Sequence, residues 1–176
     1  MLQFAVYGSH FTADGFLEST VFSLCGPDDA TTVSIKFKEA ALFTISPVTS
    51  AATPTGRTIR MAPIGLVDMF NSGGAVRSFS FTVDEEQRGE DGEETQVLVA
   101  KTTMVGDGRF VAYSSAAPSK CTIAGKEVTF SFSREINEDG EGVGSVTVEV
   151  PEEEEPFWPR SKGAPESTRD LIFYFE

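Results

Sequence analysis

The amino-acid sequence predicts an all-β fold, a two-layer antiparallel β-sandwich of about ten to twelve strands with long acidic loops. Short apolar segments recur along the chain, each bounded by Gly, Pro, Asp or Ser. Phenylalanine occurs 15 times in 176 residues, and aromatic side chains favour strands. Apolar and polar residues alternate with period two in Val128–Phe132 and Ser145–Val150, which leaves each strand one apolar face. Two packed sheets bury such faces.

The strand pattern recurs in ten segments, which in chain order are Leu2–Tyr7, Thr20–Cys25, Thr32–Phe37, Ala40–Ser46, Ala75–Val83, Thr95–Met104, Arg109–Tyr113, Lys126–Ser133, Gly144–Val150 and Asp170–Phe175. A further short strand, Lys120–Ile123, precedes Ala124-Gly125, and this dipeptide predicts a tight hairpin. The only helix that the pattern allows is a short turn around Ile64–Asn71.

The chain is predicted to be a single domain over residues 1–176, with loop insertions at 84–94 and 134–168. The formal net charge is −13, and it is concentrated in two acidic, Gly-containing segments, 84–94 and 135–155. The remaining residues are close to neutral. Such charge runs are typical of solvated loops.

The charge distribution argues against nucleic acid as a partner, because acidic loops repel phosphates and no basic patch compensates. No apolar run has the roughly 18 to 20 residues that a membrane span needs, and no signal peptide is visible at the N-terminus. A cytoplasmic protein without membrane contact is therefore expected. Cys25 and Cys121 are too few for a disulfide framework, so free thiols are expected.

The sequence contains no assembled catalytic, metal or cofactor motif. His10 is the only histidine, and a nucleophile needs a base beside it. Asp68 lies in an apolar stretch and is the best candidate for a constrained carboxylate, although a structural aspartate explains it as well. No phosphate-binding glycine pattern occurs, and the acidic loops lack the alternating ligands of a calcium loop. We therefore expect no catalytic residue, no metal and no cofactor.

Several aromatic residues outside the predicted core pattern could stack on a sugar. Phe157 and Trp158 lie between two prolines in the long acidic segment, Tyr7 ends the first predicted strand, and His10 lies in the loop that follows it. An aromatic pair that pins a long loop to the sandwich explains Phe157 and Trp158 equally well. These four residues are nevertheless the candidates for a carbohydrate-binding surface.

Three long segments carry a family resemblance: FKEAALFTISPV (37–48), IRMAPIGLVDMFNSGGAVRSFSF (59–81) and GDGRFVAYSSAAPSKCTIAGKEVTFSF (106–132). With the opening FAVYGSH (4–10), they resemble the C-terminal β-domain of the raffinose synthase and seed imbibition protein family, whose members are alkaline α-galactosidase-like glycoside hydrolases. The resemblance spans nearly the whole chain. The acidic loops are longer than the family pattern.

The resemblance implies an enzyme family that acts on α-galactosides through two aspartates in a (β/α)8 barrel, with the nucleophile in a Lys-x-Asp motif. This sequence contains no Lys-x-Asp, and its β-rich pattern leaves no room for a barrel of roughly 250 residues. The chain would therefore be a part of such an enzyme without its catalytic centre.

The family motif has a structural interpretation. The run Asn71-Ser72-Gly73-Gly74 supplies residues that tolerate positive φ, at a point where the chain must reverse sharply between Leu66–Phe70 and Ala75–Val83. The motif positions interpreted as fold-specifying are Pro63, Gly65, Asn71, Gly73, Gly74, Tyr113, Ser114, Pro118 and Cys121.

Two functions remain in competition, and an independent enzyme is disfavoured because no catalytic constellation is visible. The leading hypothesis is an accessory domain that packs against a catalytic barrel of the same or a companion polypeptide, and it predicts a sizeable apolar patch. The alternative is a free-standing carbohydrate-binding module for α-galactoside sugars, and it predicts an aromatic groove.

Overall fold

The computed structural model describes residues 2–11, 17–30, 40–69, 71–88, 93–136, 142–152 and 167–176. These residues form thirteen strands in three antiparallel sheets. The strands are β1 Phe4–Phe11, β2 Leu17–Cys25, β3 Ala40–Pro47, β4 Thr49–Ala52, β5 Thr58–Leu66, β6 Val76–Arg88, β7 Glu93–Met104, β8 Gly108–Ser114, β9 Lys120–Ile123, β10 Lys126–Glu127, β11 Phe130–Ile136, β12 Gly142–Val150 and β13 Arg169–Phe175. Within the described ranges, no helix is long and apolar enough to cross a membrane.

Two five-stranded sheets form the predicted sandwich, which is confirmed. The front sheet has the strand order β10-β9-β13-β7-β6, and the middle sheet has the order β11-β12-β8-β5-β4. Their facing sides bury one core, in which the rings of Phe110 and Phe173 lie 6.4 Å apart between centroids. Met61, Leu98 and Leu171 are fully buried in the same core.

A third sheet covers the other face of the middle sheet and adds a layer that the two-layer prediction did not contain. This outer sheet has the order β2-β1-β3 and encloses a second core with Ala5, Ile64 and Tyr113. The middle sheet is apolar on both faces, since β5 is buried from Met61 onward and β8 from Phe110 onward. A sheet buried on both faces needs a covering layer on each side.

The predicted loop at 84–94 is wrong over most of its length. Strand β6 continues to Arg88 and β7 begins at Glu93, with pairing from Asp84↔Val97 to Arg88↔Glu93. Charged residues are tolerated where a hairpin extends beyond the core. The hydrogen bonds between β6 and β7 therefore continue from the core into the acidic segment. Residues 89–92 lie outside the described part of the chain.

The predicted insertion at 134–168 is also partly strand. Strand β11 ends at Ile136 and β12 covers Gly142–Val150, and the two strands pair in continuous register. Residues 137–141 and 153–166 lie outside the described ranges, as does the predicted strand Thr32–Phe37.

The expected short helical turn around Ile64–Asn71 is not a helix in the described residues of that range, although Val67 and Asp68 form a turn. Ile64–Leu66 end strand β5, and a short 3-10 helix follows at Ser72–Ala75. The predicted hairpin at Ala124-Gly125 is confirmed, since both residues have positive φ, 49° and 79°, and join β9 to β10. This is the backbone of a two-residue type I′ turn.

Candidate functional site

The end of strand β5 contains the first part of the family motif. Pro63 has no N–H to donate, and the register with β8 shifts between Pro63 and Gly65. Gly65 has a φ of 106°, and the carbonyl of Ser72 occupies the space where a Cβ would lie. Only glycine fits this position. Pro63 and Gly65 are buried, so their role is to shape the backbone.

The 3-10 helix after β5 depends on a side-chain cap. The Asn71 Oδ1 accepts a hydrogen bond from the Gly74 N–H at 3.1 Å. A Cβ on Gly74 would overlap the Asn71 side chain, which explains glycine there. Neither Gly73 nor Gly74 has a positive φ, so their tolerance of that conformation is not used here, and Gly65 has the positive φ instead. The motif is an Asn-capped turn.

The second part of the motif lies inside the molecule. Tyr113, Ser114, Pro118 and Cys121 are buried. The Ser114 hydroxyl donates to the Ala116 carbonyl at 2.6 Å, which stabilises the chain as it leaves β8. Burial raises the pKa of the Cys121 thiol from 9.0 to about 12, so the thiol stays protonated at neutral pH. These residues offer no accessible reactive group.

Asp68 lies in the turn after β5 and forms an exposed ion pair. Its Oδ1 lies 2.7 Å from the Arg109 Nη2, and the two side chains are 54% and 39% exposed. The same arginine accepts a backbone hydrogen bond at its carbonyl from the Val67 N–H. The carboxylate therefore ties the turn to strand β8, which is a structural contact.

The four sugar-binding candidates are not brought together among the described side chains. Tyr7 is only 8% exposed and packs between the outer and middle sheets, so its ring offers no stacking surface. The backbone of His10 pairs with Glu18 and Ala41 in the outer sheet, but its side chain lies outside the described part. Phe157 and Trp158 also lie outside it. No group of three or more metal-ligating side chains occurs among the described residues.

The outer sheet presents an apolar face to solvent, which we call the outer face. Residues directly opposite on neighbouring strands share a face, and Val6 pairs with Ile45 and Ser23, while Phe4 pairs with Cys25. Ala5 and Leu24 alternate with these residues and point into the second core. The outer face therefore carries Phe4, Val6, Ser23, Cys25, Phe43 and Ile45.

The outer face is exposed at its β3 side. Ile45 is 63% exposed and Phe43 is 38% exposed, although both are large apolar residues. A Cβ on Gly8 would lie 2.9 Å from the Phe43 ring, so the ring lies across the glycine of the central strand. Exposed apolar side chains gathered on one sheet face are a feature that interaction surfaces share.

A groove of about 480 Å³ opens on the outer face, between the side chains of β1 and β3 and the turn at Cys25–Asp29. Its apolar lining includes Phe4, Val6, Phe43 and Ile45. Asp29 also lines the groove, but its Oδ2 accepts a hydrogen bond from the Gly26 N–H at 2.6 Å and so closes the turn. The groove suits an apolar side chain better than an ion or a polar ligand.

Sequence reasoning missed this surface. The segments around Phe4 and Phe43 are apolar at successive positions, so the sequence does not say which alternate set faces solvent. The pairing of β1 with β3 settles it. The leading hypothesis anticipated an apolar patch, but not its location.

Comparison with known proteins gives a consistent result. Residues 18–148 match the family model described as raffinose synthase or seed imbibition protein Sip1. The galactinol–sucrose galactosyltransferase of Oryza sativa subsp. japonica is 33% identical over 149 residues, which are 85% of this chain and 16% of that protein. The stachyose synthase of Pisum sativum is 34% identical over 143 residues, 78% of this chain and 14% of that protein.

A shorter match reaches higher identity. The probable galactinol–sucrose galactosyltransferase 4 of Arabidopsis thaliana is 38% identical over 77 residues, 44% of this chain and 7% of that protein. In these three comparisons, the chain corresponds to no more than about one sixth of the relative's length.

Proposed function

Because this chain belongs to the raffinose synthase or seed imbibition protein family, we propose that it is a non-catalytic accessory domain. In this proposal the domain packs against a (β/α)8 catalytic barrel outside this chain, in the same or a companion polypeptide, and stabilises it. The single observation that carries the proposal is the apolar outer face on a domain that matches only a small part of its relatives.

The chemistry of the described residues supports a structural role. A retaining glycosidase needs two carboxyl groups about 5 Å apart, one nucleophilic and one protonated. Asp68, the carboxylate singled out by the sequence, is held by Arg109 at an exposed turn. The motif residues of the family shape the backbone or pack in the core. In this proposal, the catalytic residues lie in the rest of the enzyme.

The outer face fits a protein surface better than a sugar. Carbohydrate sites combine a stacking ring with several hydrogen-bonding groups that bind hydroxyls. The described side chains of the outer face are mostly aliphatic or phenyl groups, and Tyr7 is buried beneath them. The carbohydrate-binding alternative therefore gains no support from the described residues.

The relatives suggest the reaction of the whole enzyme. Two of them are named for transfer of galactose from galactinol to sucrose, and one is named a stachyose synthase. We propose that the enzyme served by this domain processes α-galactosides of the same class. The purified chain alone should turn over neither an aryl α-galactoside nor raffinose. Turnover by the chain that disappears in an Asp68→Asn variant would contradict the proposal.

The packing role has its own test in a full-length enzyme. The region of the rice relative that aligns with this chain is deleted in one variant and replaced by this chain in a second, here called the graft. The deletion should lower soluble yield and activity, and the graft should recover both. A graft no better than the deletion would overturn the proposed function.

A further inference from the structure

We propose that the outer face is the surface through which this chain packs against the catalytic part of its enzyme, with an apolar side chain of that part seated in the groove at Cys25–Asp29. This inference rests on the proposed function and adds to it the location and chemistry of the contact.

The described side chains of the outer face carry no charge, although the protein is strongly charged. The chain has 14 lysine and arginine residues and 27 aspartate and glutamate residues. Nevertheless, the residues at the outward positions of β1, β2 and β3 whose side chains are described are apolar, small or hydroxyl-bearing. A sheet face that meets only water normally carries polar residues at these positions. The outer face therefore has the composition of a covered surface.

The order of the layers points the same way. The middle sheet is covered by the front sheet on one side and by the outer sheet on the other. One side of the outer sheet faces the second core and holds Ala5 and Tyr7. The other side is apolar and is not fully covered by any described residue of this chain, since Ile45 remains 63% exposed. β1 is the central strand and is hydrogen-bonded on both edges.

The size of the outer face argues for a joined domain as its occupant. Three strands of about eight residues have a flat footprint of about 26 Å by 14 Å, or roughly 400 Å² before the relief of the side chains is added. A stable complex of free proteins buries about 800 Å² on each partner. A second copy of this chain would therefore bind weakly through this face alone. A domain joined to it needs less area, because the linkage supplies a high effective concentration. The aligned region is at most about one sixth of each relative cited above, so each relative contains further sequence that could supply such a domain.

Two matched substitutions in the graft test this inference. Ile45→Asp places a charge on the outer face, at an edge strand, where the side chain is 63% exposed. Val83→Asp places the same charge on the edge strand of the front sheet, where the side chain is 53% exposed. Both residues are β-branched, so the loss of strand preference is similar.

The expected result is a difference between the two grafts. Ile45→Asp should lower the melting temperature of the graft by about 5 °C or more and reduce its activity, because the charge would be buried without a partner. Val83→Asp should change the melting temperature by less than about 1 °C. In the isolated chain, both variants should melt close to the unsubstituted protein. If aspartate weakens the isolated chain itself, Ile45→Thr keeps the branched side chain and provides the same comparison.

The outcomes separate this inference from the proposed function. A graft that is inactive before any substitution overturns the proposed function. An active graft in which Ile45→Asp and Val83→Asp behave alike overturns the docking surface and leaves the proposed function standing. An isolated chain that sediments as a dimer, and becomes a monomer with Ile45→Asp, would assign the outer face to a second copy and also overturn the inference.

Discussion

Gly65 determines how strand β5 joins the 3-10 helix. Its φ of 106° lies in a region that L-residues rarely adopt, and the carbonyl of Ser72 packs against its Cα. Gly65 therefore lies at the start of a turn that carries both the Asn71 cap and the Asp68–Arg109 ion pair.

Gly65→Ala should destabilise the protein by more than about 2 kcal/mol, because it combines backbone strain with overlap at Ser72. Gly108→Ala is the matched control, since Gly108 has a φ of 114° and no atom lies within 4 Å of an added Cβ. It should cost about 1 kcal/mol, from backbone strain alone. Chemical denaturation of both variants measures the difference. Equal losses would show that the close approach of Ser72 contributes nothing.

The β9–β10 hairpin has an unfavourable residue at the first position of its turn. Ala124 has a φ of 49°, although the first position of a type I′ turn favours Asn. Ala124→Asn should therefore stabilise the protein by about 0.5 to 1 kcal/mol. Ala124→Val should destabilise it, because a β-branched residue resists positive φ. Thermal unfolding compares the two, and a gain in stability with valine would contradict this account of the turn.

The pairing of β13 with β7 gives the fold a pH dependence. The hydrogen bond from Lys101 lowers the pKa of Asp170, and Thr103 donates to the same carboxylate at 2.9 Å. The Lys101 Nζ lies 2.7 Å from the Asp170 Oδ2, with both side chains about 40% exposed. A lowered folded-state pKa stabilises the fold above the ordinary pKa of about 4, and this contribution is lost as the pH falls.

Asp170→Asn should cost roughly 0.5 to 1 kcal/mol of unfolding free energy at pH 7, in keeping with a partly exposed pair. The difference in unfolding free energy between Asp170→Asn and the unsubstituted protein should shrink as the pH falls from about 5 to about 2, because the carboxyl group of Asp170 is then protonated and neither protein carries a negative charge at this position. Asp107→Asn, at an exposed turn, is the control and should show a smaller difference. A loss that does not change with pH would rule out the ion pair as its cause.

Elements with one buried face were predictable from the sequence, and others were not. The alternation in β12 and the apolar run of β13 were sufficient to predict those strands. β5 was missed because Pro63 and Gly65 interrupt it and because burial on both faces removes the alternation. β4 was missed because its sequence TSAA has small side chains and no periodic signal.

The candidate site could not be predicted fully, because it depends on contacts between strands and turns that are far apart in the sequence. The motif residues from Pro63 to Gly74 could be assigned a backbone role from glycine and asparagine chemistry alone. The positive φ was assigned to the wrong glycines, because the approach of Ser72 to Gly65 is a contact between two elements. The outer face required the register of β1 with β3.

At the scale of the whole molecule, the three sheets have different structural roles. The front and middle sheets build the main core, and the outer sheet closes a second core and presents an apolar side outward. This division suits a domain that folds around its own sandwich and offers one added sheet to a neighbour. The family match and the short share of each relative agree with such a part.

The central claim is that the outer face is covered by the rest of the enzyme, and hydroxyl-radical footprinting measures this coverage directly. In the isolated chain, Phe43 and Ile45 should be oxidised readily, as should the exposed Met69 and Val83 elsewhere on the surface. In the graft, we predict that oxidation of Phe43 and Ile45 falls several-fold while Met69 and Val83 keep their rates. Equal oxidation of Phe43 and Ile45 in the isolated chain and in the graft would contradict the account.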